Sequence, residues 1–350
     1  MRLLIVDDSA TMRRLIRLRL SGDARIEVVG EAADACAAEV EIARLKPDVV
    51  TLDVEMPGKS GLQFLRELME SNPIPVVMLS SETQKGSAAA IEALSLGAVE
   101  CLGKPQAMGG ADGFAELPAM IRAAATANVA QKGGGAARGP ASARFDWNGK
   151  YVLIGSSTGG VEALERIIAG MPENCPPIVI TQHMPAGFLS SFAQRLDARF
   201  APRIALASTR APLEQGRIYL APGGETHLGL AGPAAMPRCD IIEGEKVSNH
   251  RPSVDVLFGS ALGHARNVVA VMLTGMGHDG ADAMARLRGA GAVCLAQDEA
   301  SSVVWGMPRC AWERGGVDRL VSLDAMADEI LAATGSGPTA RARLRQHAAG

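Results

Sequence analysis

The sequence is poor in aromatic residues, which make up 3% of its 350 positions, so aliphatic side chains must fill most of its core. It lacks an apolar run of the ~18–20 residues that a membrane-spanning helix needs. Its first residues, MRLLIVDDS, turn acidic too early for a signal peptide, so we expect a cytoplasmic protein with no membrane insertion. With a net charge of −3 it also lacks the basic character of a nucleic-acid binder.

The six cysteines are scattered along the chain and form no CxxC pair. This spacing is typical of buried or idle thiols in a reducing compartment. It disfavours a disulfide framework or a metal site. The composition, 47% apolar and 21% charged, is that of a globular protein. A chain of 350 residues favours two domains over one.

Strand-like and helix-like patterns alternate in two parts of the sequence. Five apolar runs, among them RLLIV and VVTLD, precede residue 123, and the alternation resumes after residue 147 with YVLIGSS, PIVITQH and VVAVMLTGMG. Such alternation predicts parallel sheets with helices on both faces. We therefore predict an α/β fold with two doubly wound parallel-sheet domains. The predicted bounds are 1–122 for the first domain, 123–147 for a flexible linker rich in Ala, Gly, Pro and Ser, 148–335 for the second domain and 336–350 for a disordered tail.

Charged and hydroxyl side chains stand where the strands of the first domain end. They are Asp7, Asp8, Asp53, Ser80 and Lys104. Because the carboxyl ends of parallel strands meet at one edge of the sheet, three carboxylates and an ammonium group should share one cleft. Clustered carboxylates repel one another unless a cation lies among them, and oxygen ligands favour Mg²⁺.

The DD pair, the segment DVEMPG, the hydroxyl after the fourth strand and the KP after the fifth resemble the receiver domain of response regulators. The resemblance implies a flavodoxin-like fold in which Asp53 accepts a phosphoryl group from a histidine kinase. It also implies that Mg²⁺ is held by Asp8, Asp53 and the Glu55 carbonyl, with Asp7 acting through water. Ser80 and Lys104 would contact the phosphoryl oxygens. Receivers usually carry an aromatic residue at the position of Cys101, so the conformational readout should differ here in detail.

The stretch VLIGSSTGG, residues 152–160, joins a strand-like run to a helical pattern. It lacks the lysine of a Walker A loop and the GxGxxG spacing of a dinucleotide loop. It does contain GxSxG with Ser157 at its centre, a pattern typical of a nucleophilic serine on a tight turn. Taken alone, a helix cap made by Ser156, Ser157 or Thr158 is the simpler interpretation.

A serine nucleophile needs a base, and the base needs an orienting carboxylate. His183 follows the run IVITQ, which places it at the carboxyl end of the strand after the Ser157 strand, and His227 is the second choice. Asp279 lies in the glycine-rich segment GMGHDG, where capping the following helix is its alternative role. These positions predict a triad of Ser157, His183 and Asp279.

The motifs IGSSTGG, TQHMP, IYLAPGGETHL and LTGMGHDGA resemble the chemotaxis protein-glutamate methylesterases of the CheB family. The resemblance implies a Rossmann-like esterase domain in which Ser157 is the nucleophile, His183 the general base and Asp279 its orienter. The backbone N–H groups of Thr158 and Met276 would form the oxyanion hole. His278 stands where the family often has asparagine.

The same resemblance implies a substrate and a form of control. The enzyme would hydrolyse glutamyl methyl esters on methyl-accepting chemoreceptors, release methanol, and deamidate receptor glutamines, with no cofactor for the esterase chemistry. The receiver domain would inhibit the esterase until Asp53 is phosphorylated.

Two other classes of protein have the same domain order. One is a response regulator whose second domain binds DNA, but that domain has no basic recognition helix or basic stripe. The other is a scaffold that keeps the fold without the chemistry, and the presence of all three triad residues argues against it.

Overall fold

The computed structural model of the chain describes residues 1–80, 84–104, 114–127, 129 and 145–336. Most of the predicted linker and tail lies outside these residues. The chain divides into two compact units, Met1–Lys132 and Gly133–Gly350, and each is described by itself. In the described residues no helix is both long and apolar enough to cross a membrane.

The first unit contains a five-stranded parallel sheet with the order β2-β1-β3-β4-β5. The strands are β1 (Arg2–Val6), β2 (Glu27–Ala32), β3 (Val49–Asp53), β4 (Val76–Ser80) and β5 (Glu100–Gly103). The helices are α1 (Ala10–Leu20), α2 (Ala35–Leu45), α3 (Gly61–Ser71), α4 (Gln84–Leu96) and α5 (Leu117–Ala125). Every residue of β3 and β4 is buried, as expected for the inner strands of a sheet covered on both faces.

The second unit contains a seven-stranded sheet with the order β14-β13-β12-β6-β7-β9-β8, in which all pairs are parallel. Its strands are β6 (Tyr151–Ser156), β7 (Ile178–Gln182), β8 (Arg203–Leu206), β9 (Arg217–Leu220), β12 (Val268–Met272), β13 (Val293–Gln297) and β14 (Arg319–Val321). Two further strands, β10 (Thr226–Ala231) and β11 (Arg238–Glu243), form a separate antiparallel hairpin.

The helices of the second unit follow its strands and cover the sheet. They are α6 (Gly160–Ala169), α7 (Ala186–Arg199), α8 (Val254–Ser260), α9 (Ala281–Gly289), α10 (Met307–Glu313) and α11 (Leu323–Thr334). The segment VDVLFGSALGHA has the sequence pattern of one helix, but α8 ends at Ser260 and a short 3₁₀ helix, Leu262–Asn267, follows it.

Strand order fixes where a site can form in the second unit. The chain runs from β6 to β7 on one side of the sheet and returns to β12 on the other side, so β6 is the central strand. Open parallel sheets bind ligands at such a switch point, beyond the carboxyl ends of the strands. Ser157 directly follows β6. The predicted fold class, with two parallel α/β sheets, is confirmed.

All six cysteines lie in the described residues and are free of disulfides. Four of them are buried, Cys36 is exposed and Cys310 is half-buried. Burial raises the pKa of the Cys101 thiol, which lies on β5.

Candidate active site

The turn that follows β6 presents Ser157 at the middle of the sheet. The Ser157 N–H donates to Thr274 O at 3.0 Å, and the Gly160 N–H donates to Ser157 O at 2.7 Å. Gly159 has a φ of +77°, which L side chains rarely adopt. A Cβ on Gly160 would lie 2.1 Å from Gln182 Oε1. The first glycine is therefore required by backbone conformation and the second by close approach.

The two adjacent serines have different surroundings. Ser156 is fully buried, and its hydroxyl donates to Gln182 Oε1 at 2.6 Å. The Ser157 hydroxyl bonds to no described residue. Helix α6 has Gly159 as its N-cap and no side-chain cap bond. The helix-cap interpretation of these hydroxyls is therefore wrong, and Ser157 Oγ is the one available to a ligand.

His183 follows β7 and lies beside this turn. Its N–H donates to Ser156 O at 3.0 Å, which fixes its backbone against the end of β6. Its ring Nε2 is 2.8 Å from Asp279 Oδ2. A carboxylate only accepts hydrogen bonds, so Nε2 carries the proton and Nδ1 carries the lone pair. His183 Nδ1 is buried and has no hydrogen-bond partner among the described residues, so it is the nitrogen that can take a proton.

Ser157 and His183 are not joined by a hydrogen bond in this structure. Catalytic hydrogen bonds in ligand-free enzymes are often long and close only when substrate is bound. Two of the three predicted triad residues are therefore directly bonded, and the third lies on the neighbouring turn.

Asp279 is buried and accepts four hydrogen bonds. In addition to His183, its donors are the Ser253 hydroxyl at 2.8 Å, Val254 N–H at 2.7 Å and Asp255 N–H at 3.1 Å. Burial alone favours the neutral acid, but the hydrogen bond and charge of His183 and the bonds from Val254 and Ser253 hold the pKa of Asp279 below its ordinary value. Asp279 is thus an anion near neutral pH, as an orienter of histidine must be.

The alternative role predicted for Asp279 was a cap on the following helix. The N-cap of that helix, α9, is instead Gly280, with no side-chain cap bond. Asp279 binds amides at the start of α8, a helix distant in sequence. The prediction that Asp279 caps the following helix, α9, is therefore wrong, because Asp279 binds the start of α8 instead.

Two backbone donors remain unused at this site. The N–H groups of Thr158 and Met276 donate to no described residue, whereas the Ser157 N–H is occupied by Thr274 O. Thr274 also donates its hydroxyl to Thr158 O at 2.9 Å, which holds the two turns together. A Cβ on Gly275 would lie 2.8 Å from Ser157 Cβ, so glycine there permits the close approach.

Gln182 is a residue that the sequence-based interpretation missed. It is buried at the end of β7, and its Nε2 donates to Ser157 O at 3.0 Å and to His183 O at 3.2 Å. Together with the Ser156 hydroxyl on Oε1, these bonds use its carboxamide on both sides. One side chain therefore links the backbones of both predicted reacting residues. The only sequence signal was its position directly before His183.

His227, the second choice for the base, has a structural role. It lies on β10, its Nε2 is 2.9 Å from Glu245 O, and its Nδ1 accepts the Ser253 N–H at 3.1 Å. Both ring nitrogens are occupied, so it is unsuited to proton transfer. His264 is buried elsewhere, with Nδ1 at 2.7 Å from the Tyr151 hydroxyl. His278 is exposed.

In the first unit the predicted acidic cleft forms at the ends of β1, β3 and β5. Ligand oxygens of Asp7, Asp8 and Asp53 lie within 4.8 Å of one another. Lys104 Nζ is 2.7 Å from Asp53 Oδ2 and 3.0 Å from Asp7 Oδ2. Ser80, the last residue of β4, is buried. The Glu55 N–H donates to Asp53 Oδ1 at 3.2 Å.

The charges of this cleft suit a divalent cation. Asp7 Oδ2 is buried and accepts no hydrogen bond from a described residue, so the Lys104 ion pair is its only described partner. Burial, with the nearby charge of Asp7, raises the pKa of Asp53 against the opposing effect of Lys104. Although burial opposes it, contact with Asp53 and Asp7 raises the pKa of Lys104. Three carboxylates around one ammonium leave excess negative charge and oxygen ligands, the donor set that Mg²⁺ prefers.

The fold and these side chains define a response regulator: a receiver-type unit with an acidic cleft, and an α/β output unit with a parallel sheet. The model of the response regulator receiver domain family matches residues 3–110, and that of the CheB methylesterase family matches residues 152–330. The chain belongs to the CheB methylesterase family.

Curated relatives match almost the whole chain. A protein-glutamate methylesterase/protein-glutamine glutaminase 1 of Caulobacter vibrioides is 52% identical over 94% of this chain and 97% of its own. A protein of the same name from Rhizobium johnstonii is 49% identical over 95% of this chain and 96% of its own. The crystal structure of the Thermotoga maritima CheB methylesterase catalytic domain is 36% identical, with a TM-score of 0.50, and covers 52% of this chain and 97% of that one.

Proposed function

We propose that this chain hydrolyses glutamyl methyl esters of chemoreceptors by means of Ser157, His183 and Asp279, under control of its receiver domain. The predicted enzyme class, protein-glutamate methylesterase/protein-glutamine glutaminase, is confirmed by family membership and by the shared name of the two relatives. The roles of individual residues are our proposal. The observation that carries them is a buried His183 bonded to Asp279 at 2.8 Å through Nε2, with Nδ1 left unpaired.

Acylation begins at Ser157. His183 Nδ1 takes the hydroxyl proton while Ser157 Oγ bonds to the ester carbonyl carbon. The N–H groups of Thr158 and Met276 stabilise the oxyanion, and the loss of one such donor typically costs ~3–4 kcal/mol of transition-state stabilisation. The bond to the methoxy oxygen then breaks, His183 Nδ1 returns the proton to that oxygen, and methanol leaves. Asp279 stabilises the imidazolium ion that exists between these transfers.

Deacylation repeats the sequence with water. His183 Nδ1 takes a proton from water as its oxygen bonds to the acyl carbon, the bond to Ser157 Oγ breaks, and the proton returns to the serine. The product is the free glutamyl side chain. Deamidation of a glutamine side chain follows the same path, with ammonia as the leaving group in place of methanol.

Control is assigned to the cleft of the receiver domain. A histidine kinase is the proposed phosphodonor and Asp53 the phosphoryl acceptor. Asp8, Asp53 and the Glu55 carbonyl would hold Mg²⁺ directly and Asp7 would hold it through water; the ion, when bound, offsets the negative charge of the incoming phosphoryl group. Lys104, which is paired with Asp53, and Ser80, at the end of β4, would contact the phosphoryl oxygens.

A methyl-accepting chemoreceptor is the proposed protein substrate, and no nucleic acid is involved. The cytoplasmic location and the domain bounds 1–122, 123–147, 148–335 and 336–350 stay predictions. Membership of the CheB methylesterase family, and a relative named as a protein-glutamate methylesterase, support a glutamyl ester of a protein as the substrate.

The decisive measurement is methanol release from methylated receptor membranes, with and without a small-molecule phosphodonor. We expect release by the parental chain, faster with the phosphodonor, and none above background by Ser157→Ala. Ser208→Ala, at an exposed position of the same unit, is the matched control and should keep the parental rate. Parental methanol release by Ser157→Ala would overturn the assignment.

A further inference from the structure

His250 lies flat against the ring of His183. The two ring centroids are 3.7 Å apart and the planes differ by 9°. His250 belongs to neither of the glycine-rich turns that carry Ser157 and Asp279, and neither the motif pattern nor the proposed mechanism gives it a part. It therefore contacts the proposed base from a segment of its own.

A tight turn delivers this ring. Val247 and His250 exchange both backbone hydrogen bonds, N–H to O at 3.1 and 2.9 Å. The two residues between them, Ser248 and Asn249, have φ of +51° and +65°. Left-handed conformations at residues other than glycine are unfavourable, and they persist where surrounding contacts impose them. Asn tolerates this region, but Ser has no such preference.

The contacts that impose the turn are found on the next residue. Arg251 donates to Gly224 O at 2.7 Å, to Gly244 O at 2.8 Å and to Glu225 Oε1 at 2.9 Å. These bonds tie the segment to the loop before β10 and to the end of β11. Stored backbone strain of this kind is found most often at functional sites.

His250 is neutral where the esterase would work. Burial comes first among the causes that lower the pKa of His250 to about 4, followed by His183, and Lys246 and His278 act in the same direction. Asp279 is the one group among those acting on it that opposes the shift. A neutral imidazole can lie against His183 without repelling the imidazolium ion that forms during catalysis.

A single hydrogen bond does not hold a histidine ring in one plane. Asp279 fixes the position of Nε2, but the ring can still tilt and move Nδ1 away from Ser157. A flat ring stacked at 3.7 Å removes that freedom and excludes water from one face of His183. Reacting groups must be held near their productive geometry, because small displacements cost large factors in rate.

We infer that His250 is a positioning residue, which holds the plane of His183 so that Nδ1 faces Ser157 and shields that ring from water. The inference rests on the proposed function, since it assigns His250 to the same reaction. Its action is through His183 and not on the substrate.

The test compares three full-length variants in methanol release. His250→Phe keeps a flat ring that does not titrate, and we expect kcat within about threefold of the parent and an unchanged pH profile. His250→Ala removes the ring, and we expect kcat to fall on the order of tenfold with little change in KM. His264→Phe, which removes a buried imidazole that contacts Tyr151, is the control and should keep both constants.

The conservative variant separates positioning from loss of folded protein. A smaller folded fraction would lower the apparent kcat of both variants, whereas a loss of positioning lowers kcat in His250→Ala and is rescued by the flat ring of His250→Phe. Parental kcat in His250→Ala would overturn the inference, as would a His250→Phe variant as impaired as His250→Ala.

A measurement on the unmutated chain applies even if His250→Ala fails to fold. In full-length protein with ¹⁵N-labelled histidine, the nitrogen shifts of His250 should stay those of a neutral ring on acidification to near pH 5, and the neutral form of His183 should carry its proton on Nε2. A His250 that titrates like a free histidine contradicts the stack. Absence of methanol release by the parent would instead refute the proposed function, and the two failures are thus distinguishable.

Discussion

Asp279 binds the start of α8, the helix that contains Asp255, and Asp255 binds the first turn of α9, the helix that follows Asp279. Asp279 accepts the N–H groups of Val254 and Asp255 at the start of α8, and Asp255 Oδ1 accepts the Ala283 N–H in the first turn of α9, at 3.1 Å. Each carboxylate satisfies amides that a helix start leaves unpaired. The proposed orienter of His183 is therefore held by amides at the start of α8 in addition to its bond with His183.

Replacement of Asp279 by Asn should abolish most activity while the fold persists. Asparagine keeps an oxygen for one of the two α8 amides, which bind different oxygens of the carboxylate, but it has no charge to hold the proton on His183 Nε2 or to stabilise the imidazolium ion. We expect kcat to fall on the order of 10³–10⁴-fold, measured as methanol release. Asp255→Asn is the matched control, since it keeps an acceptor for Ala283 and should stay within a few-fold of the parent. A mild effect of Asp279→Asn would contradict the triad.

The two aspartates should affect stability in opposite directions. The pKa of Asp279 is lowered in the fold, so its carboxylate stabilises the protein above the ordinary value of 3.8 and loses that effect as pH falls through the lowered value. The pKa of Asp255 is raised, chiefly by burial, so its ionisation destabilises the fold at neutral pH. Thermal unfolding near pH 7 should show Asp279→Asn below the parent and Asp255→Asn above it, with the Asp255→Asn difference vanishing below the ordinary pKa. The reverse order would refute this assignment of charge.

Removal of the Gln182 carboxamide should impair the rate more than it impairs substrate binding. Gln182→Met keeps a similar volume but breaks the bonds to Ser157 O and His183 O, so both backbones lose a shared anchor. We expect kcat to fall on the order of 10-fold or more with KM nearly constant. Tyr151→Phe, which removes a buried hydrogen bond at the opposite end of β6, should lower stability without this kinetic effect. Equal kcat values for Gln182→Met and the parent would exclude the anchoring role.

Addition of one methyl group at Gly160 should destabilise the second unit. The new Cβ would lie 2.1 Å from Gln182 Oε1 and 2.9 Å from Ser156 Cβ, and neither buried atom can retreat freely. We expect a loss of about 1–3 kcal/mol of unfolding free energy, measured in denaturant. Gly289→Ala is the control, because a Cβ there meets nothing within 4 Å and alanine favours the helix. A Gly160→Ala variant as stable as Gly289→Ala would show that the turn can yield.

Sequence periodicity was enough to predict both parallel sheets, because inner strands read as continuous apolar runs. It missed β8, the β10–β11 hairpin, β14 and α10, which are short or lie at edges where one face is exposed and the apolar pattern is weak. The site residues were predictable where they lie at the ends of predicted strands, and not elsewhere. Ser157, His183 and Asp279 stand at ends of predicted strands or beside them, whereas His250 reaches the site on a tight turn after β11 that no periodic pattern marks.

The hydrogen-bond partners of Asp279 show why the contacts of a site residue could not be predicted from the sequence. Its position in a turn after β12 and before α9 suggests a local cap, and local capping is what spacing rules describe. The real partners, Ser253 and Val254, are about 25 residues earlier in the chain. Only the packing of α8 against α9 brings them together.

Control by the receiver can be tested by truncation of the chain. A truncated chain should begin at Phe145, three residues before the predicted domain start, because Phe145 N–H donates to Asn174 Oδ1 at 3.1 Å and Asp146 O accepts the Ser336 N–H at 2.8 Å. The crystal structure of a separate catalytic domain from Thermotoga maritima indicates that such a unit folds alone. If the receiver inhibits the esterase, residues 145–350 should release methanol faster than the unphosphorylated full chain and be indifferent to a phosphodonor.

Asp53→Asn in the full chain is the counterpart of that truncation. It keeps the size of Asp53 and cannot accept a phosphoryl group, so the phosphodonor should no longer raise the rate, while basal methanol release persists. Chelation of Mg²⁺ should have the same effect on the parent and none on residues 145–350, because the predicted metal ligands, Asp7, Asp8, Asp53 and Glu55, all lie in the first unit. If residues 145–350 release methanol no faster than the full chain, the receiver does not inhibit the esterase. Activation by the phosphorylated receiver would then be the form of control. If the full-chain Asp53→Asn variant still responds to the phosphodonor, the phosphoryl acceptor is a residue other than Asp53.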